Sequence, residues 1–270
     1  MIASQNFIVE KYLGLTGYKK TTGEPLYYLT QVKDGQVQVS IDNSVDVVDA
    51  VGAKIETIQN GESGTFSASN ALFSWDLVTA QTGGTRVEAS ITNKIKYPRW
   101  ESFTTTAGQT SVVLAEVPVG TEGAEIPYIF ALNKDGTMST KYTIAAAASA
   151  TAFQLDPDTK TLTLPTGLTA GTRVHIQYEY EGDVGFKITK SPLNKNEEHK
   201  VVALVLGHDV CDKTTKYAAW QVFPCAKLSS EIDLTFTPDM EHPFTLDLVQ
   251  DYCDTEKTLF EFLLDGNAMA

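Results

Sequence analysis

The segment Leu26–Ile41 reads LYYLTQVKDGQVQVSI, and its pattern decides the fold class. Apolar and polar residues alternate on both sides of Lys33-Asp34-Gly35, which is the period-two pattern of half-buried antiparallel strands. Asp-Gly between two such runs is a strong hairpin signal, because both residues tolerate the backbone of a tight turn. The segment therefore predicts a hairpin that turns at residues 33–35.

Similar runs fill most of the chain. A second hairpin is predicted where Ala53–Gln59 turns at Asn60-Gly61 into Gly64–Ser67. Two further turns are predicted at Asn133–Gly136 and at Asp156–Thr159. Strands of the last third are predicted at Val201–Leu206, Tyr217–Phe223, Ile232–Phe236, Phe244–Tyr252 and Thr258–Leu264. The fold class is therefore mostly β.

One segment predicts a helix of about three turns. Ser69 and Asn70 provide capping side chains, and Gly83-Gly84 ends the run. The residues that recur near helical spacing are Ala71, Leu72, Trp75, Leu77 and Val78. The next strand is predicted over Thr85–Lys96, with Val87, Ala89, Ile91 and Ile95 toward the core.

The composition changes at Tyr97–Trp100, which predicts a domain boundary. Residues 1–100 and 183–270 are predicted to form one discontinuous β domain, and residues 101–182 an inserted module. The module has the length and strand number of an immunoglobulin-like sandwich, although it lacks the Cys and Trp pair of antibody domains. Its closing strand, Arg173–Tyr180, places alternate apolar residues on one face.

The charge balance excludes one class of function. The 270 residues contain 34 Asp and Glu against 21 Lys and Arg, for a net charge of -13 and a pI near 4.7. Such a field repels a phosphate backbone, which disfavours sequence-specific nucleic-acid binding. The acidic residues are concentrated from Leu228 to Ala270, a segment that contains ten of them and one basic residue, Lys257.

The hydrophobic fraction of 42% and the mean hydropathy of -0.13 are typical of a soluble globular chain. Met1–Asn6 has no basic segment followed by an apolar one, and no window approaches the apolar length of a membrane-spanning helix. Synthesis in the cytoplasm is therefore expected. Three cysteines, all in the last quarter, are not the pattern of a secreted disulfide framework.

The familiar enzyme signatures do not occur. Gly61–Thr65 fails the G-x-S-x-G pattern at its last position, and no phosphate-binding or H-E-x-x-H motif is found. Pairs of carboxylates such as Asp247 with Asp251, or Asp156 with Asp158, are expected by chance in an acidic chain. We predict that the protein is not an enzyme and that it has no catalytic or cofactor-binding residue.

One cluster has the residue types of a zinc site. His208, Cys211, Cys225 and Cys253 are an acceptable tetrahedral ligand set, but only His208 and Cys211 have the close spacing of zinc ligands. The favoured interpretation is that the three cysteines are small buried residues on neighbouring strands, with no metal. Cys211 and Cys253 could then lie close enough to oxidise in vitro.

The three tryptophans allow a sugar-stacking platform, since β-sandwiches host such sites. The apolar neighbours of Trp75 and Trp220 favour positions in the core. Trp100 follows Pro98 and Arg99, where packing at the module junction is favoured.

The chain has hairpins, the run Val47–Ile55, a helix entry at Ser67–Phe73, an inserted sandwich and acidic terminal strands, in that order. This order of features resembles that of tailed-bacteriophage tail tube proteins. The inserted segment Glu116–Ile126, together with Asn133–Gly136, is similar to sequences of phage virion structural proteins of this size.

This resemblance implies a tail-tube-like β-sandwich or barrel with one helix, interrupted by an immunoglobulin-like module. It implies a structural protein of the virion tail that forms rings, commonly hexamers, through long hairpins. The rings would stack into a tube with other tail proteins. DNA would slide through an acidic lumen without specific binding, and no membrane partner is implied.

Two other classes of function fit the same composition. A carbohydrate- or host-surface-binding module would use exposed aromatic rings, and a capsid decoration protein is its nearest variant. A phage hydrolase would instead need convergent carboxylates, or the His208 and Cys211 region, in a cleft.

Overall fold

The computed structural model describes residues 6–229, 231–232, 237, 240–250 and 258–269. These ranges contain strands and a single helix, so the predicted mostly-β class with one helix is confirmed. The strands before the helix are β1 Phe7–Lys19, β2 Pro25–Leu29, β3 Val32–Val48 and β4 Lys54–Asn70; the helix, α1, is Trp75–Thr82. The next are β5 Thr85–Glu88, β6 Ile95–Thr104, β7 Ser111–Val113, β8 Tyr128–Leu132, β9 Met138–Ile144, β10 Ala152–Asp156, β11 Thr161–Thr163 and β12 Arg173–Gly182. The last are β13 Phe186–Thr189, β14 His199–Asp209, β15 Asp212–Leu228, β16 His242–Leu248 and β17 Glu261–Ala268.

The chain divides into two compact units. The first unit contains Met1–Thr85 and Ile188–Ala270, and the second contains Arg86–Lys187. The strand β6 belongs to the second unit and includes Tyr97–Trp100, where the composition changes. The domain ranges 1–100 with 183–270, and 101–182, stay a prediction.

The first unit is built on one large sheet with the order β2-β1-β14-β15-β16-β4-β3, and β17 pairs with β15. Alternate residues of these strands face a single core, because side chains of a strand point to opposite faces in turn. Its fully buried members include Leu15, Tyr27, Phe66, Val201, Phe223 and Leu246. Leu77 brings the helix against the same core.

The first predicted hairpin is wrong in its turn. Asp34-Gly35 lies inside β3, at a register shift between Lys33 and Gln36, where Asp34 has φ of 53°. The residue pair serves as a bulge, since a bulge uses the same positive φ as a tight turn. The strand β2 pairs with β1 and not with β3.

The second predicted turn is also wrong. Gly61 lies within β4, which runs from Lys54 to Asn70 and pairs with β3 in unbroken register from Ser40 to Val47. The turn between the two strands is at Asp49–Gly52, where the Gly52 N–H donates to the Asp49 carbonyl at 3.0 Å. One hairpin with strands of 17 residues therefore replaces two short ones.

The helix is shorter than predicted. It begins after Ser74, whose hydroxyl accepts the Leu77 N–H, and not after Ser69 and Asn70. Asn70 is instead the last residue of β4. Gly83 ends the helix with φ of 60°, as predicted from the glycine pair, because the left-handed cap suits glycine.

The second unit contains a seven-stranded sheet with the order β6-β12-β8-β9-β10-β11-β7. The predicted turn at Asn133–Gly136 joins β8 to β9, and the one at Asp156–Thr159 precedes β11, so both are confirmed. The strand β12 buries Val174, Ile176 and Tyr178 in a separate core, as its pattern predicts. The immunoglobulin-like assignment of this unit stays a prediction.

The strand predicted over Thr85–Lys96 is wrong in its middle. β5 ends at Glu88 and β6 begins at Ile95, with a turn between them in which the Asn93 N–H donates to the Ser90 carbonyl. Ile91 is 81% exposed, and Ile95 alone of the four predicted residues is buried. Across the described residues, no helix is long and apolar enough to cross a membrane.

Candidate assembly surface

The hairpin β3–β4 extends beyond the sheet that holds it. β16 pairs with β4 only from Gly64 to Asn70, whereas β3 accompanies β4 back to Lys54. We name residues 39–62 the outer hairpin. In the part of the chain that the structure describes, no third strand continues the sheet beside the outer hairpin.

One face of the outer hairpin is apolar and continues the face that forms the core. Val37 packs against the core opposite fully buried Phe66, and alternate residues beyond them point the same way. The apolar residues on this face are between 37% and 53% exposed: Val39, Ile41, Val45, Val47 and Ile58. Glu62 and Glu56 share it, opposite Ile41 and Val47. The apolar face that is buried in the core therefore continues onto side chains that are exposed to solvent.

The opposite face of the outer hairpin is polar. Ser40 and Ser63 are cross-strand partners whose hydroxyls lie 3.0 Å apart, and Ser44 is on the same side. Further out, Thr57 donates to the Asp46 carboxylate at 2.7 Å. This face satisfies its own polar groups and can remain in water, so the two faces differ as in an amphipathic element.

Hydrogen bonds fix the tip of the hairpin. The Asp49 carboxylate accepts the backbone N–H of Val51 at 2.9 Å and of Ala53 at 2.8 Å. Lys54 lies 2.8 Å from the Asp46 carboxylate, and this bond and that of Thr57 lower the pKa of Asp46. The Val51 side chain is 87% exposed at the end of the turn.

A second apolar patch lies on β17. Phe262, Leu263 and Leu264 are each between 47% and 59% exposed, although the strand pairs with β15. Neighbouring residues of a strand point to opposite faces, so this strand exposes apolar side chains on both. It is a second surface with the composition of an interface.

The four residues with the ligand types of a zinc site are not brought together. His208 pairs with Lys216 near one end of the β14–β15 hairpin, and His199 pairs with Ala226, next to Cys225, near the other. About nine residues of strand separate them, or about 30 Å. Cys253 lies outside the described residues. Within those residues no three His, Cys, Asp or Glu side chains gather as a metal site.

His208 and Cys225 have local side-chain partners instead. His208 Nδ1 lies 2.7 Å from Glu10 Oε1, and Lys216 contacts the same carboxylate. Cys225 is buried, as predicted, and its thiol donates to Glu198, while burial raises the pKa of the thiol. Cys211 is exposed in the turn between β14 and β15, so the prediction that it is buried is wrong. Its backbone N–H donates to Asp209.

The paired carboxylates hold turns or lie on the surface. Asp156 accepts the Asp158 N–H at 3.1 Å and the Thr159 hydroxyl at 2.8 Å, and the latter bond in particular lowers the pKa of Asp156. Asp247 is exposed on β16, and Asp251 lies outside the described residues. The pair Asp156 and Asp158 is therefore explained by its role in forming the turn.

The tryptophans only partly follow the prediction. Trp75 is 46% exposed at the first position of the helix, where its ring meets Phe73 edge-on, so its predicted core position is wrong. Trp220 is half-buried on β15. Trp100 is 70% exposed in the middle of β6.

One protein-family model matches nearly the whole chain. Residues 8–260 match the model of the YomU/Tube protein family. The chain belongs to the YomU/Tube family. This phage-derived family of tube proteins confirms the resemblance to tail tube proteins. No curated protein matches the chain. Family membership indicates a structural protein of the virion tail, which suggests a role other than catalysis.

The outer hairpin was only partly visible in the sequence. The alternating residues predicted strands at each end of it, Val37–Ile41 and Ala53–Gln59, but the turn predicted at Asn60-Gly61 would have divided β4. The signal that identifies it is the register: residues 36–47 and 56–67 alternate in phase, so they can form one long ladder.

Proposed function

We propose that the protein self-assembles into stacked rings that form a phage tail tube and conduct DNA. The observation that supports this best is the outer hairpin, whose apolar face continues a buried core face into solvent. Exposure of this apolar face does not stabilise a monomer. A second copy of the chain packed on this face would bury it, and a copy paired along the free edge of the hairpin would extend the ladder.

The hairpin is suited to join neighbours around a ring. Its five aliphatic side chains are about half-exposed, and burying the rest contributes roughly 1 kcal/mol for each. Six subunits per ring is the number that the resemblance implies. A ring closes only if each subunit offers two different surfaces, so the hairpin of one copy would meet another part of its neighbour.

Stacking of rings requires a further contact, since a tube repeats both around and along its axis. The exposed apolar residues Phe262, Leu263 and Leu264 of β17 provide a second surface. We propose that β17 takes part in the contact between rings and the outer hairpin in the contact within a ring.

The acidic side chains of the last 43 residues fit a DNA conduit. Glu231, Glu241, Asp247 and Glu261 are exposed among the described residues. Asp233, Asp239, Asp251, Asp254 and Glu256 lie outside them. A lumen lined by such groups repels the phosphate backbone, so DNA passes without binding.

The test is electron microscopy of the purified protein over a range of concentrations, with two matched variants. Wild-type protein is expected to form rings or hollow tubes of uniform width at high concentration. Val45→Asp places a charge on the apolar face and should keep the protein monomeric. Ser44→Asp places the same charge on the polar face of the same strand and should still assemble.

Thermal unfolding of the monomer distinguishes lost assembly from lost folding. Both variants should unfold within a few degrees of wild type, because both positions are exposed. Assembly of Val45→Asp as in wild type would show that the outer hairpin is not the contact. A second experiment adds isolated phage tail tips to nucleate assembly. If wild-type protein then stays monomeric at high concentration, the proposal itself is contradicted.

A further inference from the structure

One face of the second unit's sheet has a row of side chains unlike those of an ordinary surface. Gln177 of β12 lies directly opposite Trp100 of β6 and directly opposite Tyr128 of β8. Cross-strand partners share a face, so the three side chains form one row across three strands. Strands are spaced about 4.8 Å apart, which puts the two aromatic positions about 10 Å apart.

The next row on this face extends the platform. Here His175 lies between Ser102 and Phe130, and its ring centroid is 5.1 Å from that of Phe130. The Ser102 hydroxyl lies 2.7 Å from His175 Nδ1. Gln177 Nε2 lies 3.2 Å from His175 Nε2. The polar side chain between the aromatic residues is therefore held in position by a neighbour.

Both aromatic residues are exposed. Trp100 is 70% exposed and Tyr128 is 54% exposed, whereas Ile129 and Tyr178, each one position along its strand from a member of the row, are buried on the other face. Large aromatic side chains in one exposed row are uncommon on a monomer and indicate a contact surface.

A cavity of about 340 Å³ opens beside this row. Trp100, Tyr128, Gln177, Glu179 and Glu125 are among its lining residues. Such a volume is at the lower end of the range for ligand pockets, about 300–1,000 Å³. The site therefore combines a flat aromatic row with a concave edge.

One wall of the cavity has an unsatisfied acceptor. Glu125 Oε1 accepts the Gly123 N–H at 3.0 Å, but Glu125 Oε2 is buried and has no hydrogen-bond donor among the described residues. A buried carboxylate oxygen without a donor is costly, so such an atom is usually completed by a ligand or by solvent. A ligand with hydroxyl groups would supply the donor.

The loop that holds Glu125 is fixed at its base. The Glu101 carboxylate accepts the Ala115 N–H at 3.1 Å, the Arg99 Nε–H at 2.8 Å and the Tyr178 hydroxyl at 2.5 Å. Farther along, the Val119 N–H donates to the Glu179 carbonyl at 2.8 Å. These bonds hold the loop against β12 in the absence of a ligand, which lowers the ordering cost of binding.

We infer that Trp100, Tyr128, Gln177 and Glu125 form a binding site for neutral saccharides. The aromatic rings provide flat apolar surfaces for the C–H faces of sugar rings, and the amide of Gln177 and the carboxylate of Glu125 take hydroxyl groups. This is a binding activity of the second unit, independent of tube assembly.

The charge of the site selects among saccharides. Glu125 and Glu179 are both in the cavity wall, and the lining includes no Lys or Arg side chain. An anionic polysaccharide would be repelled, since like charges that are brought together without a counter-charge raise the free energy of the complex. A neutral glucan, mannan, galactan or chitooligosaccharide meets no such penalty.

The test uses the full-length protein on an array of neutral glucans, mannans, galactans and chitooligosaccharides, with alginate and polygalacturonate as anionic probes. Wild type should bind at least one neutral probe and neither anionic one. Trp100→Ala and Tyr128→Ala should each weaken that binding at least tenfold. Met138→Ala, at an equally exposed position of β9 in the same unit, should leave it unchanged.

A variant of Glu125 tests whether its unsatisfied oxygen takes part in binding. Glu125→Gln keeps the shape of the side chain and replaces one oxygen by a donor, so it should weaken binding to the neutral probe but not allow the anionic probes to bind tightly. The folded state of each variant is checked by circular dichroism. Tube formation, followed by electron microscopy, should be unaffected in all of them.

Two results would overturn the inference. One is the absence of any neutral probe that binds wild type more tightly than the Trp100→Ala/Tyr128→Ala double variant. The other is that these substitutions block tube formation while leaving saccharide binding unchanged, which would make the aromatic row a contact between copies of the chain.

Discussion

The inner and outer halves of the β3–β4 hairpin have the same alternating pattern but different surroundings. In the inner half, Val37 and Phe66 are cross-strand partners that pack in the core. In the outer half, Val45 and Ile58 are partners in the same register and on the same face, yet both are about half-exposed. Period two determines which face is apolar, and it does not determine what covers that face.

The difference teaches where to look for a partner. An apolar face that stops at the edge of a core is explained by the core, whereas one that continues past it is a candidate for an interface. The outer hairpin continues the face for about ten residues on each strand, or about 30 Å. The β3–β4 hairpin is therefore longer than it needs to be to pair with β16.

The largest expected difference between the halves is in core packing. Phe66→Ala should lower the free energy of unfolding by about 3–5 kcal/mol, because it leaves a cavity against Phe223 and Phe244. Ile58→Ala should change it by less than about 0.5 kcal/mol in the monomer, since that side chain is already half-exposed. Guanidinium unfolding of dilute protein measures both. Equal losses would mean that the outer half is buried in the monomer.

A pH dependence is expected from the core against which the inner half of the hairpin packs. His199 is buried beside the Tyr27 hydroxyl, 2.8 Å away, and burial lowers the pKa of His199. As the pH falls, His199 therefore binds a proton more readily in the unfolded chain than in the folded chain. Stability should be fully present above about pH 6.5, the usual pKa of histidine, and should fall as the pH drops below it.

Thermal unfolding between about pH 7.5 and about pH 5.5 measures this effect, with an expected loss of several degrees. His199→Gln keeps a hydrogen-bonding side chain that does not titrate, so its loss over the same range should be smaller. His242 is buried beside Gln81 and its pKa is lowered by burial too, so part of the loss should remain in this variant. An identical pH dependence would show that His199 does not contribute.

A smaller effect is expected at the tip of the outer hairpin. Asp49→Ala removes the acceptor for the Val51 and Ala53 N–H groups and should speed their hydrogen exchange about fivefold, while the global unfolding midpoint stays the same. Asp49→Asn keeps an acceptor oxygen and should retain most of the protection. A fall in the global midpoint would show that the tip and the core unfold as one unit.

The smallest effect is expected for the ion pair on the polar face of the outer hairpin. Asp46 and Lys54 are exposed, so Lys54→Met should leave the unfolding midpoint unchanged. The pKa of the Asp46 carboxyl should nevertheless rise toward its usual value, because the bond to Lys54 is the largest cause of its lowering. Carbon-detected NMR titration measures this pKa. An unchanged value would mean that the pair does not form in solution.

Much of the fold could be predicted from the sequence because local alternation and turn chemistry decide it. The turn at Asn133–Gly136 is correct, since the chain reverses there and Gly136 has a positive φ. Asp34-Gly35 gives the same local signal, but its positive φ serves a bulge within a strand. A turn and a bulge differ in the pairing of distant residues, which the local sequence does not contain.

The positions of the exposed aromatic side chains were less predictable for a similar reason. Trp75 was expected in the core because its neighbours are apolar, but it opens a helix whose buried residues are Leu77, Val78 and Gln81. The row of Trp100, Gln177 and Tyr128 joins residues 77 positions apart in the chain. Only strand register brings such residues together.

The register between β3 and β4, which is unbroken from Val39 to Val47, also limits how the length of the outer hairpin can change in evolution. Inserting one residue into each strand would turn every side chain beyond the insertion to the opposite face and put Val45 and Ile58 among polar neighbours. Inserting two residues into each strand restores the faces. Related chains whose hairpins differ in length are therefore expected to differ by an even number of residues in each strand, with insertions and deletions of odd length confined to the tip around Asp49–Gly52.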